Sequence, residues 1–126
     1  MELLRTPEER FAGLPGFDGP RFAPHWLDDL PGLEGLRVHR LDTAPGDTDR
    51  PVALCLHGNP TWSYLYRRML PGLADAGFRV VVPDLAGFGR SDKPVDEGWH
   101  GFERHRGMLL ALVERLDLAR VTGDRW

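Results

Sequence analysis

With 126 residues, 41% of them hydrophobic and 28% charged, the chain has the size and composition of one soluble globular domain with a modest core. The formal net charge is −3, and the basic residues are scattered among acidic ones, so we expect no nucleic-acid partner. Neither an apolar run of about 18 residues nor a signal segment occurs, and we therefore expect a cytoplasmic protein without membrane contact.

The N-terminal third of the chain predicts an arm followed by an edge pair of strands. Residues 1–24 are rich in proline and glycine with three phenylalanines spaced among them, which is typical of an arm that lies over a domain. Residues 26–30 and 36–41 are strand candidates, with Pro31 and Gly32 in the turn between them. Together they predict an antiparallel pair at the edge of a sheet.

A βαβ unit is predicted for residues 52–82. The apolar run 52–56 has no polar alternation, which indicates a strand covered on both faces and a buried, inert thiol at Cys55. Residues 62–70 repeat apolar side chains at helical spacing, and Pro71 should end or kink that helix before Gly77 closes its continuation. Residues 78–82 form a second buried strand, which predicts a parallel pair with a right-handed crossover.

The loops that follow these two strands are the candidate chemical site. Residues 57–60 and 84–92 both lie at carboxyl ends of strands, where open α/β sheets bind ligands. The backbone amides after Gly58 would stabilise developing negative charge there. An equally good interpretation at this point is that the glycines and Pro60 only shape tight turns.

Two motif-like stretches in the second loop carry no chemistry. Gly87 and Gly89 begin a dinucleotide-binding pattern, but Asp92 stands where its third glycine is needed. Ser91 lacks the second glycine of a nucleophile elbow. We interpret Asp92 as a turn cap and Lys93 as a surface charge.

An amphipathic helix is predicted from residue 102 to residue 116. One face is apolar and includes His105, which we interpret as a partly buried structural residue rather than a catalytic base. His100 and His105 are five residues apart and would not share a helix face, so we expect no metal site from them.

Three stretches resemble, in order and spacing, the N-terminal part of the haloalkane dehalogenases, which are members of the α/β-hydrolase fold family: LHGNPTWSYLYR, PDLAGFGRSDKP and FERHRGMLLALVERLDL. The resemblance extends upstream through RTPEERF and reaches about Thr122. It implies an α/β fold: the N-terminal half of an α/β-hydrolase domain, with an antiparallel edge pair, a βαβ unit, a further helix and an incomplete sheet. Residues 1–24 would be the arm, 25–120 would hold strands one to four and two helices, 121–126 would be an aberrant tail, and a cap domain would be absent.

The resemblance also implies a mechanism without a cofactor or metal. In the family an aspartate after the fifth strand displaces halide from a haloalkane, and a histidine then activates water to hydrolyse the ester. The backbone amide of Asn59 would hold the oxyanion, and its side chain would donate to the leaving halide. Similar proteins carry Glu in that place. The alternative for Asn59 is capping of the following helix.

The last six residues depart from the family pattern. Asp124 and Trp126 echo its Asp-Trp pair, but Arg125 separates them, and too few residues precede Asp124 for a strand. We therefore expect the chain to end before the nucleophile elbow, with Asp124 a poor candidate nucleophile. The strand 52–56 would keep an open edge that favours self-association. An inactive fragment, an interaction module and an epoxide-hydrolase-like enzyme stay open as alternatives.

Overall fold

The chain folds as a mixed sheet with helices on both sides. The computed structural model describes residues 2–17, 19–33, 35–56, 62–118 and 121–125; for 121–125 it describes the backbone only, and the side chains of Glu97 and Phe102 are also outside the description. The strands are β1 (Leu3–Leu4), β2 (His25–Leu27), β3 (Val38–Asp42), β4 (Val52–Leu56), β5 (Arg79–Pro83), β6 (Lys93–Pro94) and β7 (Val121–Arg125). The helices are α1 (Met69–Asp75) and α2 (Phe102–Arg115), with 3₁₀ turns at Glu8–Phe11, Pro20–Phe22, Ser63–Tyr66 and Glu97–Trp99.

Five strands form the main sheet in the order β2-β3-β5-β4-β7. β2 pairs antiparallel with β3, which confirms the predicted edge pair. β3 also pairs antiparallel with β5. β4 runs parallel to β5, with Val52 opposite Arg79, as expected for the βαβ unit. β1 and β6 form a separate two-stranded antiparallel sheet, so the N-terminal arm contains a short strand that the sequence did not predict.

The helix between β4 and β5 begins later than predicted. Ser63–Tyr66 is a 3₁₀ turn, and α1 starts only at Met69. Pro71 therefore lies in the first turn of α1 and does not end a helix, because proline costs no hydrogen bond where the N–H would be unpaired. At the other end, Phe78 N–H donates to the carbonyl of Leu73, and Gly77 N–H to that of Ala74, which is a Schellman motif.

The expectation of an open edge on β4 is wrong. β7 lies parallel along that edge, with Val52 opposite Val121 and Leu56 opposite Arg125. The aberrant tail is therefore the fifth strand of the sheet, although its sequence is polar and contains Gly123. Its backbone amides and carbonyls complete the ladder of a buried neighbour, and this pairing outweighs its weak strand propensity.

Apolar side chains cover both faces of the sheet. One cluster packs α2 against the sheet and contains Leu30, Leu33, Leu36, Val38, Val52, Leu54, Val81, Ala86, Trp99, Met108 and Leu112. The other lies under α1 and the arm and contains Phe17, Phe22, Leu41, Cys55, Tyr66, Leu70, Val80 and Val82. Cys55 is 1% exposed, as predicted for a buried thiol. None of the helices in the described part of the chain is long and apolar enough to cross a membrane.

The end of the sheet opposite the candidate site carries a buried ionic cluster. Arg79 donates to both carboxylate oxygens of Asp42, at 3.0 and 2.7 Å, and Arg40 donates to the same carboxylate at 3.1 Å. Arg79 and Asp42 are almost fully buried. Burial alone would raise the pKa of Asp42, but the two guanidinium groups lower it below its usual range overall. This pairing lets charged residues occupy the buried strands β3 and β5.

Candidate functional site

The carboxyl ends of β4 and β5 lie at the same edge of the sheet, because the two strands are parallel neighbours. The first loop, residues 57–61 with Asn59, lies outside the described residues, so the roles predicted for Asn59 stay predictions. The described part of this edge consists of residues 62–66 and 84–92, and we call it the rim. Its organisation centres on Asp84, the first residue after β5.

The Asp84 carboxylate is fully buried and binds three separate segments. One oxygen accepts the backbone N–H of Ser63 at 2.6 Å, at the start of the 3₁₀ turn before α1. The other lies 2.8 Å from His39 Nδ1 on β3 and accepts the backbone N–H of Arg90 at 3.1 Å. One side chain therefore joins both segments of the rim, 62–66 and 84–92, to β3.

The charge of Asp84 is stabilised by these same partners. Burial alone would raise the pKa of its carboxyl group, because the charged form loses water. His39 and the amides of Ser63 and Arg90 outweigh this, and the pKa of Asp84 lies below its usual range. The carboxylate is thus ionised at neutral pH, where it holds the N–H groups most strongly.

Gly89 is required by the closeness of the carboxylate. A Cβ atom at this position would lie 2.5 Å from Asp84 Oδ2, and the backbone φ of +53° is one that favours glycine. The shape of the turn is therefore set by the Asp84 contacts. For Gly89, the interpretation as a turn residue is correct.

His39 and Asp84 form a carboxylate–histidine pair of the kind that enzymes use for proton transfer, but its location argues against that role. Both side chains are 0% exposed. Within the described residues, His39 Nε2 has no hydrogen-bond partner, and the ring lies 5.2 Å from that of Trp26 in an edge-on contact. A pair without access to solvent or substrate in this structure serves to hold the rim in place.

Ser91 has no role as a nucleophile. Its hydroxyl donates to the Asp84 carbonyl at 2.6 Å and accepts the backbone N–H of His39 at 2.9 Å. The side chain is fully buried. Both hydrogen-bonding functions of the hydroxyl are thus used to join the rim to β3, in agreement with the sequence interpretation.

The predictions for Asp92 and Lys93 are wrong. Asp92 is fully buried; one oxygen accepts the Arg37 backbone N–H at 2.9 Å, and the other accepts Arg5 Nε at 2.7 Å. Lys93 is half-buried and donates to the carbonyls of Gly89 and Ser91, at 2.7 and 3.1 Å. Burial lowers the pKa of Lys93 below its usual range, against the opposing effect of nearby carboxylates. The burial of charged residues in a turn cannot be predicted from the local sequence, because their partners come from distant segments.

The N-terminal arm covers the outside of the rim through Arg90. Its guanidinium lies over the rings of Phe11 and Phe17, at 4.9 and 5.6 Å, and 3.7 Å from a carboxylate oxygen of Glu8. Phe17 also contacts the ring of Trp62 at 5.6 Å. Cation–π and aromatic contacts of this kind fasten the arm beside Trp62, the residue that directly follows the first loop.

Asp124 is closer to the rim than the sequence suggested. The argument that no strand could precede it is wrong, since Asp124 itself lies in β7, opposite Cys55 of β4. This register puts its backbone one residue from the end of β7, at the carboxyl edge of the sheet. Its side chain is outside the described atoms, and its role as a nucleophile stays untested.

The prediction that His100 and His105 lie apart is also wrong. His100 precedes α2 and is not helical, so helical spacing does not apply, and its Nδ1 lies 3.4 Å from His105 Nε2. His105 is half-buried on α2, as predicted. Among the described residues, no group of three or more His, Cys, Asp or Glu side chains could hold a metal ion.

Sequence comparison assigns the class of protein. Residues 51–122 match the family described as alpha/beta hydrolase fold, which is more than half of the chain. The chain belongs to this family, and its parallel strands, crossover helix and rim are the corresponding elements.

Within the family, the chain is similar to haloalkane dehalogenases. It is 50% identical over 124 residues to a haloalkane dehalogenase of Psychrobacter cryohalolentis, covering 97% of this chain and 39% of the relative. A solved tetrameric haloalkane dehalogenase of Paraglaciecola agarilytica superimposes with a TM-score of 0.89 at 52% identity, covering 98% of this chain and 40% of that one. Epoxide hydrolase VrEH1 of Vigna radiata gives a TM-score of 0.68 at 25% identity, with coverages of 82% and 31%. The chain thus spans about two fifths of the length of the dehalogenases it matches.

Proposed function

We propose that the protein represented by this chain is a haloalkane dehalogenase, which converts a haloalkane and water to an alcohol and a halide. The observation that carries the proposal is the identity of about one half with haloalkane dehalogenases over 97% of the chain. The structural similarity favours the same choice, since the TM-score is 0.89 for a dehalogenase and 0.68 for an epoxide hydrolase. Epoxide hydrolysis is the second candidate, because it too would use an aspartate nucleophile on this fold.

The proposed reaction has two displacement steps. An aspartate oxygen attacks the carbon that bears the halogen; the carbon–oxygen bond forms as the halide leaves with its electron pair. A histidine then takes a proton from water, and the resulting hydroxide attacks the ester carbonyl to release the alcohol and restore the carboxylate. The contribution of this chain is the first loop, where the Asn59 amide would hold the oxyanion and its side chain the halide.

The described residues support this role by positioning the loop. Asp84 accepts the N–H of Ser63, only two residues after the last residue of the loop. The Tyr66 hydroxyl donates to the carbonyl of Leu56 at 2.6 Å, just before the loop begins. The residues on both sides of the loop are thus held by hydrogen bonds, and fixed flanks favour the preorganisation that oxyanion stabilisation requires.

We further propose that the 126-residue chain is inactive by itself. A strand that bears Asp124 stands next to β4, but Arg125 follows Asp124 inside the strand, whereas a nucleophile elbow needs a sharp turn after the strand. The chain also holds no second carboxylate and histidine at the rim with access to substrate among the described residues. Haloalkane and water as substrates, the absence of nucleic-acid and membrane partners, and a cytoplasmic location belong to this proposal.

A chimaera tests the assignment to haloalkanes. Residues 1–120 of this chain are joined to the corresponding C-terminal part of the Psychrobacter cryohalolentis relative, and the product is assayed with a short brominated alkane and with an epoxide. We expect bromide release and no diol formation. Diol formation without bromide release would replace the proposal with epoxide hydrolysis, and loss of both activities in a folded chimaera would refute it.

The same chimaera tests Asn59. The substitution Asn59→Ala removes a hydrogen bond to a charged leaving group, so kcat/KM for the bromoalkane should fall by about 10- to 100-fold. Asn59→Asp keeps the size of the side chain but replaces the donating amide by an ionised carboxylate, which only accepts hydrogen bonds, so it should lose at least as much activity as the alanine variant. Equal activities of Asn59→Ala and the unsubstituted chimaera would leave helix capping as the role of this side chain.

A further inference from the structure

A pair of histidine rings lies beside residues 87 and 88 of the rim. His100 Nδ1 and His105 Nε2 are 3.4 Å apart, while the ring centroids are 5.5 Å apart and the ring planes differ by 17°. Because the two nitrogens are much closer than the centroids, the rings meet through these nitrogens and not through their faces. Two imidazole nitrogens therefore point at one small region of space.

The hydrogen bond at the other side of His100 defines which nitrogen can bind a ligand. His100 Nε2 lies 3.3 Å from the carbonyl of Pro94, which can only accept, so Nε2 carries the proton in the neutral ring. Nδ1 is then left with a lone pair directed at His105. A carbonyl acceptor on the distal nitrogen is the arrangement that fixes the tautomer of metal-binding histidines.

Both rings are held in place by packing. The edge of His100 sits against Gly87, where a Cβ atom would come within 2.8 Å of the His100 ring carbon Cε1 and where φ is +92°. Trp99 contacts both rings edge-on, with centroids at 5.3 and 6.2 Å, and Phe88 lies 6.4 Å from His105. Rings that are already positioned lose little conformational freedom when they bind a ligand together.

We propose that His100 Nδ1 and His105 Nε2 form a two-histidine site for a divalent transition-metal ion such as zinc, nickel or copper. At a metal–nitrogen distance of about 2.0–2.1 Å, two ligands of a tetrahedral ion are about 3.4 Å apart. The observed nitrogen separation has this value. His100 is exposed, so water molecules complete the coordination. On binding, the proton shared by the rings moves to His105 Nδ1, and no proton is released while both rings are neutral.

The charged surroundings set a limit on affinity. Arg104 is on α2, like His105, and its guanidinium lies 5.0 Å from the centre of the Trp99 ring. This positive charge disfavours a second cation nearby. Lys93 is turned away, because its amine is bound to the carbonyls of Gly89 and Ser91. Asp96 and Glu103 supply negative charge on the flanking segments, where Asp96 caps Gly98 and Glu103 lies 3.7 Å from Arg106. Bound metal would join the segment before α2 to the helix itself.

The test is a titration of the tag-free 126-residue chain with zinc, nickel and copper salts. Calorimetry measures the binding, and thermal unfolding measures the change in Tm. We expect one metal ion per chain and a Tm increase of about 5 °C at roughly tenfold excess over the Kd. His100→Gln should lose binding by at least about tenfold, and His25→Gln, on β2, should bind like the unsubstituted chain.

Copper spectroscopy separates this site from adventitious binding. The electron paramagnetic resonance spectrum of the copper-loaded chain should show two imidazole nitrogens, and that of His100→Gln or His105→Gln one. Circular dichroism of each variant checks that it is folded; His100 is exposed, so its replacement should leave the fold intact. The proposal would be overturned if His100→Gln bound metal as tightly as the unsubstituted chain. It would also be overturned if no metal bound at about 1 mM, which corresponds to a very weak Kd.

Discussion

At the scale of single residues, the rim depends on polar side chains that are buried. Asp84, His39 and Ser91 have no exposed surface, yet each joins segments far apart in the sequence. Pattern-based reasoning assigns polar residues to the solvent side of an element, and it therefore predicted Asp92 to be a turn cap. The position of Asp84 was a usable signal, since an aspartate directly after a buried strand and before a glycine-rich turn often accepts hydrogen bonds from backbone N–H groups.

The first prediction concerns the pH dependence of stability. Because the pKa of Asp84 is lowered on folding, its ionised form stabilises the fold above the ordinary pKa of about 3.9, and this contribution is lost as pH falls toward the lowered value. Asp84→Asn should destabilise the chain at pH 7, by about 3 kcal/mol, since His39 and two amides lose a charged acceptor. Its Tm difference from the unsubstituted chain should shrink below a pH of about 4.

Thermal unfolding at several pH values measures this effect. Asp75→Asn is a matched control, because the Asp75 side chain is 68% exposed and its ion pair with Arg21 lies at the surface. Such pairs contribute little, so the control should change stability by less than about 1 kcal/mol. A constant difference between Asp84→Asn and the unsubstituted chain down to about pH 2.5 would show that the Asp84 charge is not the stabilising feature.

At the scale of elements, apolar periodicity predicted more than any motif. The parallel pair β4–β5, the crossover between them and the amphipathic helix α2 followed from spacing alone, and Met108 and Leu112 are buried on the predicted face. The boundaries of α1 and the existence of β7 did not follow. β7 is a strand because the edge of β4 offers it a ladder, which is a tertiary effect that no local pattern contains.

The end of α2 gives the second prediction. Asp117 has φ of +51° and occupies the left-handed position of a Schellman motif, in which Leu118 N–H donates to the carbonyl of Val113. Glycine adopts this conformation without strain, so Asp117→Gly should raise stability by about 0.5–1 kcal/mol and Tm by a few degrees. Asp117→Ala keeps the strained Cβ and should not. Equal Tm values for the two variants would contradict this account of the helix end.

The third prediction concerns β7. Removal of residues 121–126 exposes the edge of β4, which now pairs with β7 over five residues in parallel register. We expect the shortened chain to elute from a sizing column as larger species and to lose its cooperative thermal transition, because an apolar edge without a partner pairs with other chains. A chain that lacks only Trp126 keeps β7 and is the control. Monomeric behaviour of both chains would show that β7 is not needed to protect the edge.

At the scale of the whole molecule, the chain has a well-defined rim but matches less than half of its relatives' length. The match to the Psychrobacter cryohalolentis dehalogenase covers 97% of this chain and only 39% of that relative. The family and the approximate fold could be predicted from three sequence stretches, since these contain the strands, turns and helix that build the rim. The position of Asp124 could not, because it depends on the pairing of β7 with β4.

The measurement that tests the central claim most directly is halide release from a short brominated alkane by the purified 126-residue chain, beside the chimaera described above. The proposal predicts release by the chimaera and none above background by the chain alone, because Arg125 continues β7 after Asp124 where a nucleophile elbow needs a sharp turn. Turnover by the chain alone that is abolished by Asp124→Asn would contradict the proposal. It would make Asp124 a working nucleophile and the short chain an enzyme in its own right.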